Sequence, residues 1–384
     1  MRDAVTLPNG STAAVRPLDP DASWIPAWRA LGADAHSRNP FYEAGYALAA
    51  TKAFGAGVRL LIIADRPPEA PGARLLAAWP FRLSWRRWGL PLPLLMGWTH
   101  GYCPFGAPLL GGADPEAALA ALLAAPRALG LPPRLLLPNA PADGAFADLL
   151  AAHGVRQAAY WPHARGLLDV TDRSVQARKT YLDHLSGKRR RKLRLARQRL
   201  EAAGPVALEI LDAPAALDGA LDDHVALEAA GWKGRAGTGL GQRPDEVAFL
   251  RAVLADLGAE GRVRVARLRR DDRILASAIL PLTGPEAWVL KIAHDEADSE
   301  AAPGVQLVHR LTEAVLAGEG IDRIDSCAPP DFALGSTFWT ERRPIAHLLV
   351  EAGRDPLFPL ARTLERARER VARARLTNRA GRSA

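Results

Sequence analysis

Apolar residues along this chain fall into short runs and helical stripes that follow the same order twice. Residues 58–64 and 74–83 are short runs rich in large apolar side chains and read as strands. The Pro/Gly-rich stretch that follows, up to Leu110, is expected to add one or two more. Residues 115–129 form an Ala/Leu-rich helix, 133–138 a strand, and 145–154 a helix that closes on a glycine. The second half opens with a strand at 206–211. Residues 262–268, 274–282 and 287–293 follow as strands, with Asp271 and Asp272 as a tight turn between the first two. An amphipathic helix at 305–318 places Val305, Leu307, Val308, Leu311, Ala314, Val315 and Leu316 on its apolar positions. A strand at 321–327, a short helix at 332–339 and a last strand at 345–350 complete the pattern. Counting the second half from residue 262, after the strand at 206–211, both halves run β-β-β-α-β-α-β. Their sequences are not visibly alike, so the repeat is one of architecture, joined near residues 161–166.

Length and charge sharpen this picture. At 384 residues, one compact core is improbable and two domains are the default. The net charge of +8 is uneven. Lys188, Arg189, Arg190, Arg191, Lys192, Arg194, Arg197 and Arg199 sit on one segment, and eight arginines crowd residues 361–384. Without these two segments the chain is acidic. Ser186 is placed to cap the basic helix and Gly204-Pro205 to end it, with Leu182, Leu185, Leu193, Ala196 and Leu200 near one face. The basic side chains are left for solvent or a phosphate-bearing partner.

Several classes are set aside. Cys103 and Cys327 are far apart, with neither metal spacing nor a disulfide framework, which fits a reducing compartment. The first sixteen residues lack the apolar core of a signal peptide, so a cytoplasmic protein is expected. Residues 88–113 carry no formal charge, but their prolines and glycines argue against a membrane-spanning helix.

The most informative stretch runs from Glu228 to Gly304. A strand ending in charged residues, Trp288 to Glu296, leads by a short polar loop to Pro303-Gly304 and a helix. Free N–H groups at a helix start favour anions, so this is a suitable place for a diphosphate.

The second half resembles a family of GNAT-like acyltransferases, those labelled cellulose-biosynthesis-associated acetyltransferase-like proteins. The resemblance rests on ordered pieces. These are Leu185 to Arg190 opening the basic helix and Glu228 ahead of Trp232-Lys233-Gly234 and Gly237-Thr238. Leu290-Lys291 and Asp295-Glu296 before Pro303-Gly304 come next, then Ile324-Asp325. Asn39-Pro40-Phe41-Tyr42 and the run from His100 to Leu109 extend it into the first half, for coverage of about residues 38–345. The Ser–basic–helix piece is also shared with Fem-type aminoacyltransferases, which likewise pair GNAT-like domains.

The resemblance implies an α/β (α+β) fold of two tandem GNAT-like domains, each a mixed, mostly antiparallel sheet flanked by helices. The expected bounds are 1–165, 166–355, and a basic helical or disordered tail at 356–384. It implies acyl-CoA, such as acetyl-CoA, as co-substrate and no metal. The pantetheine arm would lie along 288–293 and the diphosphate at 302–306, which makes Leu290, Lys291, Ile292, Pro303, Gly304, Val305 and Gln306 the cofactor-binding candidates. The sequence departs from the general GNAT turn, Gln/Arg-x-x-Gly-x-Gly/Ala; only Pro303-Gly304 stands here.

Acyl transfer from a thioester to an amine needs proximity, a place for the amine proton and no covalent nucleophile. Glu228 is the first candidate for base or ammonium binder, ahead of a Gly-rich loop that could close over a substrate; its alternative is an exposed glutamate at a helix end. Trp232 would wall the acceptor site and Lys233 would hold an anionic group. Lys291 interrupts an apolar strand and must reach water, a carboxylate or a ligand phosphate. Asp295 would orient the acceptor or pair with Lys291, and Asp325 on the next strand is the third catalytic candidate. His294 is a possible shuttle against a plain reading as polar surface. Cys327 lacks a matched His/Asn pattern. His100 and Cys103 would line a groove or simply shape a loop.

Three functions compete. The first is an acyl-CoA-dependent N-acyltransferase acting on the amine of a sugar or other small metabolite, in bacterial exopolysaccharide biosynthesis. The second is an aminoacyl-tRNA-dependent transferase, with Lys188–Arg199 holding RNA. No aromatic residues are interleaved there to stack bases, and the long helical hairpin of many Fem-type proteins is missing. The third is a non-catalytic scaffold of envelope assembly. The acceptor, the acyl length and the oligomeric state are not legible.

Overall fold

The computed structural model describes residues 2–329 and 337–380. Most of the expected helix at 332–339 lies outside these residues, as does the Lys233 side chain. The chain divides into two compact units, residues 1–163 with 344–384, and residues 164–343.

In the first unit, strands β1 (Ala4–Thr6), β2 (Thr12–Arg16), β3 (Arg59–Ala64), β4 (Leu75–Ser84) and β5 (Leu94–Gly97) pair successively antiparallel. The two-residue strand β6 (Leu109–Leu110) pairs with β4. Strand β7 (Arg134–Pro141) lies parallel to β5. The uncharged stretch at 88–113 thus supplies β5 and β6. No helix among the described residues is long and apolar enough to cross a membrane. The helix Pro115–Ala128 starts where the Asp114 carboxylate accepts the Ala117 N–H at 2.9 Å. The helix Gly144–His153 ends on Gly154 in the left-handed region, φ 68°.

The sequence assigns residues 344–355 to the second domain and 356–384 to a tail; residues 344–380 belong to the first unit. Strand β15 (Glu341–Glu351) pairs antiparallel with β7. The helix Phe358–Ala380 follows it, and Phe358 and Ala361 are fully buried. Two buried ion pairs fix this return, Arg134 with Asp355 at 2.6 Å and Arg87 with Glu365 at 2.8 Å. Chain order alone suggested the other assignment, because β15 follows the second half.

Strand β8 (Gln157–Asp169) carries the chain into the second unit. There β9 (Val206–Leu211), β10 (Val263–Arg270) and β11 (Arg273–Thr283) form an antiparallel ladder. The expected strand at 287–293 is two strands, β12 (Glu286–Trp288) and β13 (Lys291–His294), both antiparallel to β11. Strand β14 (Arg323–Asp325) runs parallel to β12 and antiparallel to β8. Mixed, mostly antiparallel sheets flanked by helices are the fold class the sequence implies.

Alternation along β11 sorts the helices of this unit. Ser277 faces the helix Pro214–Ala230, where its hydroxyl meets His224 Nδ1 at 3.1 Å. Ala276 and Ala278 face the other way, into a core shared with Leu307 and Leu311 of the helix Pro303–Ala317. The basic helix Gly187–Glu201 lies over that second helix. Leu193, Ala196 and Leu200 face the core, Gln306 Nε2 donates to the Leu193 carbonyl at 3.0 Å, and Arg310 pairs with Glu201 at 2.6 Å. Ser186 caps it as expected.

Candidate functional site

The break between β12 and β13 is a bulge with a consequence. In β12, Ala287 pairs with Leu282; in β13, Lys291 pairs with Ile279, so one extra residue has entered the strand. The Leu290 N–H bonds to Ile279 O at 3.0 Å, and the Val289 N–H bonds to Asp325 O at 2.9 Å. Beyond that bond β14 has ended and β13 pairs with β11 alone among the described strands. The sheet forks. The Asp295 N–H donates to Leu275 O at 2.8 Å, so by alternation the backbone groups of Ile292 and His294 point into the fork.

On one face of β13, Lys291 Nζ lies 3.2 Å from Glu228 Oε1. Glu228 is no exposed helix-end glutamate: it is 4% exposed, near the end of Pro214–Ala230, and Oε2 accepts the Leu240 N–H at 3.1 Å. Burying a lysine and a glutamate is tolerable because each answers the other. Asp295, the other partner considered for Lys291, is held by Arg273 at 2.6 Å and by the Ala297 N–H. It sits past the strand end, where the β10–β11 hairpin offers the nearer cation. A cavity of about 50 Å³ opens beside the pair, lined by Leu227, Glu228, Gly231, Trp232, His294 and Glu296 among others. That is room for an amino or hydroxyl group. The loop after Glu228 folds into a helical turn, Trp232–Arg235, with the Trp232 side chain 58% exposed.

On the other face, His294 meets the start of the helix Pro303–Ala317. A Cβ on Gly304 would stand 3.2 Å from His294 Nδ1, so the missing side chain is what lets strand end and helix start approach. Pro303, Gly304 and Gln306 are buried, and Val305 is half-buried. Ala302 enters the helix from the left-handed region, φ 48°. The Gln306 amide serves the basic helix, which gives it a packing task.

Asp325 meets a different environment from the one a base needs. It is fully buried at the apex of the fork, 2.6 Å from Arg165 and 2.7 Å from Arg343. Arg343 also pairs with Glu286, and both guanidiniums lie over the Trp288 ring. Burial alone would raise the Asp325 carboxyl; Arg165, Arg343 and the Cys327 N–H outweigh it and hold it below the usual carboxylate range. Such a carboxylate is a poor proton acceptor. Cys327 beside it has its thiol pushed well up by burial and then by the Asp325 charge. Sequence reading missed Arg165, Arg343 and Glu286. Their one signal is a charge within a strand, and their partners lie too far along the chain to be read.

In the first unit, His100 stacks on Phe54 with ring centroids 4.2 Å apart, and its Nδ1 accepts the Tyr102 N–H. Burial, then Arg82, brings its pKa down to about 3. Cys103 is buried, which raises its thiol.

Residues 187–333 match a family profile described as an acetyltransferase (GNAT) domain. Two solved structures are similar to the chain over most of its length. One is FemX, at 12% identity and a TM-score of 0.57, covering 88% of this chain and 98% of that one. The other is a conserved protein of unknown function from Bacteroides thetaiotaomicron VPI-5482, at 13% identity and 0.54, covering 91% and 100%. At these identities the likeness shows the fold alone. No curated protein matches the chain. The domain match and the fold support an acyltransferase-type function.

Proposed function

We propose that the second unit transfers an acyl group from acyl-CoA to a primary amine of a sugar or other small metabolite. The observation that carries this reading is the fork, with a strand edge on one side and the Glu228–Lys291 pair on the other. The pantetheine arm would pair with the open edge of β13 at Ile292 and His294, as an added strand does. Its diphosphate would lie near residues 303–306, at the Gly304 and Val305 N–H groups of the first helical turn; the Gln306 N–H is taken by the Ala302 carbonyl. The amine would enter the cavity beside Glu228, with Trp232 at its mouth. Its nitrogen attacks the thioester carbonyl carbon, the C–S bond breaks, and the surplus ammonium proton passes by way of Glu228 to the leaving thiolate. Lys291 Nζ at 3.2 Å marks the place beside Glu228 where a substrate ammonium would find the same carboxylate.

Calorimetry with CoA, and thiol release from acetyl-CoA in the presence of amino sugars and small primary amines, test the reading. Micromolar binding with amine-dependent thiol release supports it; a chain that binds no CoA sinks it. One observation favours an aminoacyl-tRNA donor instead. Lys188, Arg191, Lys192 and Arg194 are exposed on the basic helix and form no ion pair among the described residues. Tight, salt-sensitive tRNA binding would decide for that donor.

A further inference from the structure

The loop that follows Glu228 is fastened at a point that no candidate role explains. The Trp232 N–H donates to Glu296 Oε1 at 2.7 Å, and Arg235 Nη2 donates to Glu296 Oε2 at 2.6 Å. Gly231 stands against the same carboxylate, where a Cβ would come within 2.9 Å of Oε1. The backbone at Gly231, φ −86° and ψ −173°, is open to any residue. The glycine is therefore there for space, to let the carboxylate reach the turn. The Trp232 N–H bond first, then Arg235, holds Glu296 below the usual carboxylate range.

Glu296 lies two residues past β13, and Lys291 opens that strand. The same short segment thus grips the 228–240 loop twice: Lys291 holds Glu228, and Glu296 holds the turn at 231–235. The Leu240 N–H returns to Glu228 and closes the circle. Trp232 is the odd member. Its backbone is tied down while its indole stands 58% exposed. An apolar ring held in water by its own backbone, beside a cavity, is set to meet something that arrives.

We infer that Glu296 is a positioning residue of the acceptor pocket: it fixes the 231–235 turn so that Trp232 stands over the cavity while Glu228 stays closed on Leu240. This rests on the acyl-transfer reading above. It adds that the segment holding the donor edge also builds the acceptor wall, so acceptor affinity depends on Glu296 and donor affinity does not.

The test uses the full chain with Glu296→Ala, Glu296→Gln and Arg235→Gln. Hydrogen exchange across residues 229–242, CoA affinity, and KM and kcat for the best amine of the panel are measured. Losing hydrogen bonds to a charged group costs about 1.5–3 kcal/mol, or roughly 10–100-fold. Glu296→Ala is expected to speed exchange in that segment and raise the acceptor KM by about that factor. CoA affinity should stay within about twofold, a few tenths of a kcal/mol. Glu296→Gln keeps an acceptor for the Trp232 N–H and should restore most of the KM; Arg235→Gln should fall between. Unchanged exchange in Glu296→Ala overturns the inference even if acyl transfer is intact, and so does faster exchange with an unchanged KM. Parallel loss of CoA affinity would mark a general structural role and overturn it too. A wild-type chain that releases no thiol with any amine overturns the acyl-transfer reading and this inference together.

Discussion

Glu228 and Asp325 are both buried carboxylates beside cations in the second unit, yet they are built for opposite ends. Asp325 is shut between two guanidiniums, with Glu286 balancing the second arginine. Glu228 lies against Lys291, whose side chain keeps 17% exposure, and the Leu240 N–H, with a cavity at its side. A carboxylate that answers two fixed arginines ties strands together at the fork. A carboxylate beside a lysine and an adjoining cavity has room next to it for the ammonium group of the proposed acceptor. Burial and charge pairing alone do not mark a catalytic acid or base; for Glu228 the cavity at its side is the added observation behind its proposed role.

Breaking Asp325 should have the largest effect. Asp325→Ala leaves two buried guanidiniums short of a partner and is expected to cost about 3–5 kcal/mol in chemical denaturation. A loss under about 1 kcal/mol, less than one hydrogen bond to a charged group, with turnover abolished would make Asp325 the catalytic group and reverse the comparison. Glu228→Gln should instead act on chemistry. Thiol release is expected to fall by about 10²-fold or more, with CoA affinity kept and less destabilisation than in Asp325→Ala. Equal losses of fold and activity would make Glu228 structural as well. Gly304→Glu puts a charged side chain where the donor diphosphate is placed and displaces His294; CoA affinity should fall at least about tenfold, or 1.4 kcal/mol. Unchanged affinity would move the donor elsewhere.

Acid sharpens the contrast between the two units. His100 is held at about 3 and His347 at about 4, both below the ordinary 6.5. The unfolded chain therefore binds more protons at these sites, and their contribution to stability is lost as pH falls from about 6.5 towards 4. Asp325, lowered from 3.8, contributes above that value and loses its share only as pH falls through its folded pKa. Melting followed from pH 7 to pH 4 should show a slope that flattens in His100→Phe and is unmoved by Asp325→Asn. The smallest effect is expected from Arg191→Glu with Arg194→Glu: unchanged thiol release and unchanged melting. Submicromolar tRNA binding at about 0.15 M salt, lost in that double variant, would replace acyl-CoA as the donor.

Much of the fold was legible because the patterns are local. The strand at 206–211, the Ser186 cap and the glycine that ends the helix at Gly154 each need only a few neighbouring residues. The fork was not legible. Residues 287–293 are one apolar run, and only the end of β14 and an extra residue opposite Ile279 divide it. Lys291 stood out as a charge in an apolar strand, but its partner is 63 positions upstream and was one of several carboxylates in reach of the argument. Glu296 sat within a quoted motif without a role, because a bond to a backbone N–H leaves no trace in residue type.

The return of residues 344–380 to the first unit bears on synthesis. Chains are made from the N-terminus, and domains commonly fold in that order. Here the first unit lacks β15 and the Phe358–Ala380 helix until residues 341–380 have been made, while residues 164–343 are contiguous and available earlier. Arg87 and Arg134 wait through that interval for Glu365 and Asp355. The second unit to be made is thus the first whose parts are all present, and a ribosome that stalls between residues 344 and 358 releases a chain with an intact fork and an unfinished first unit.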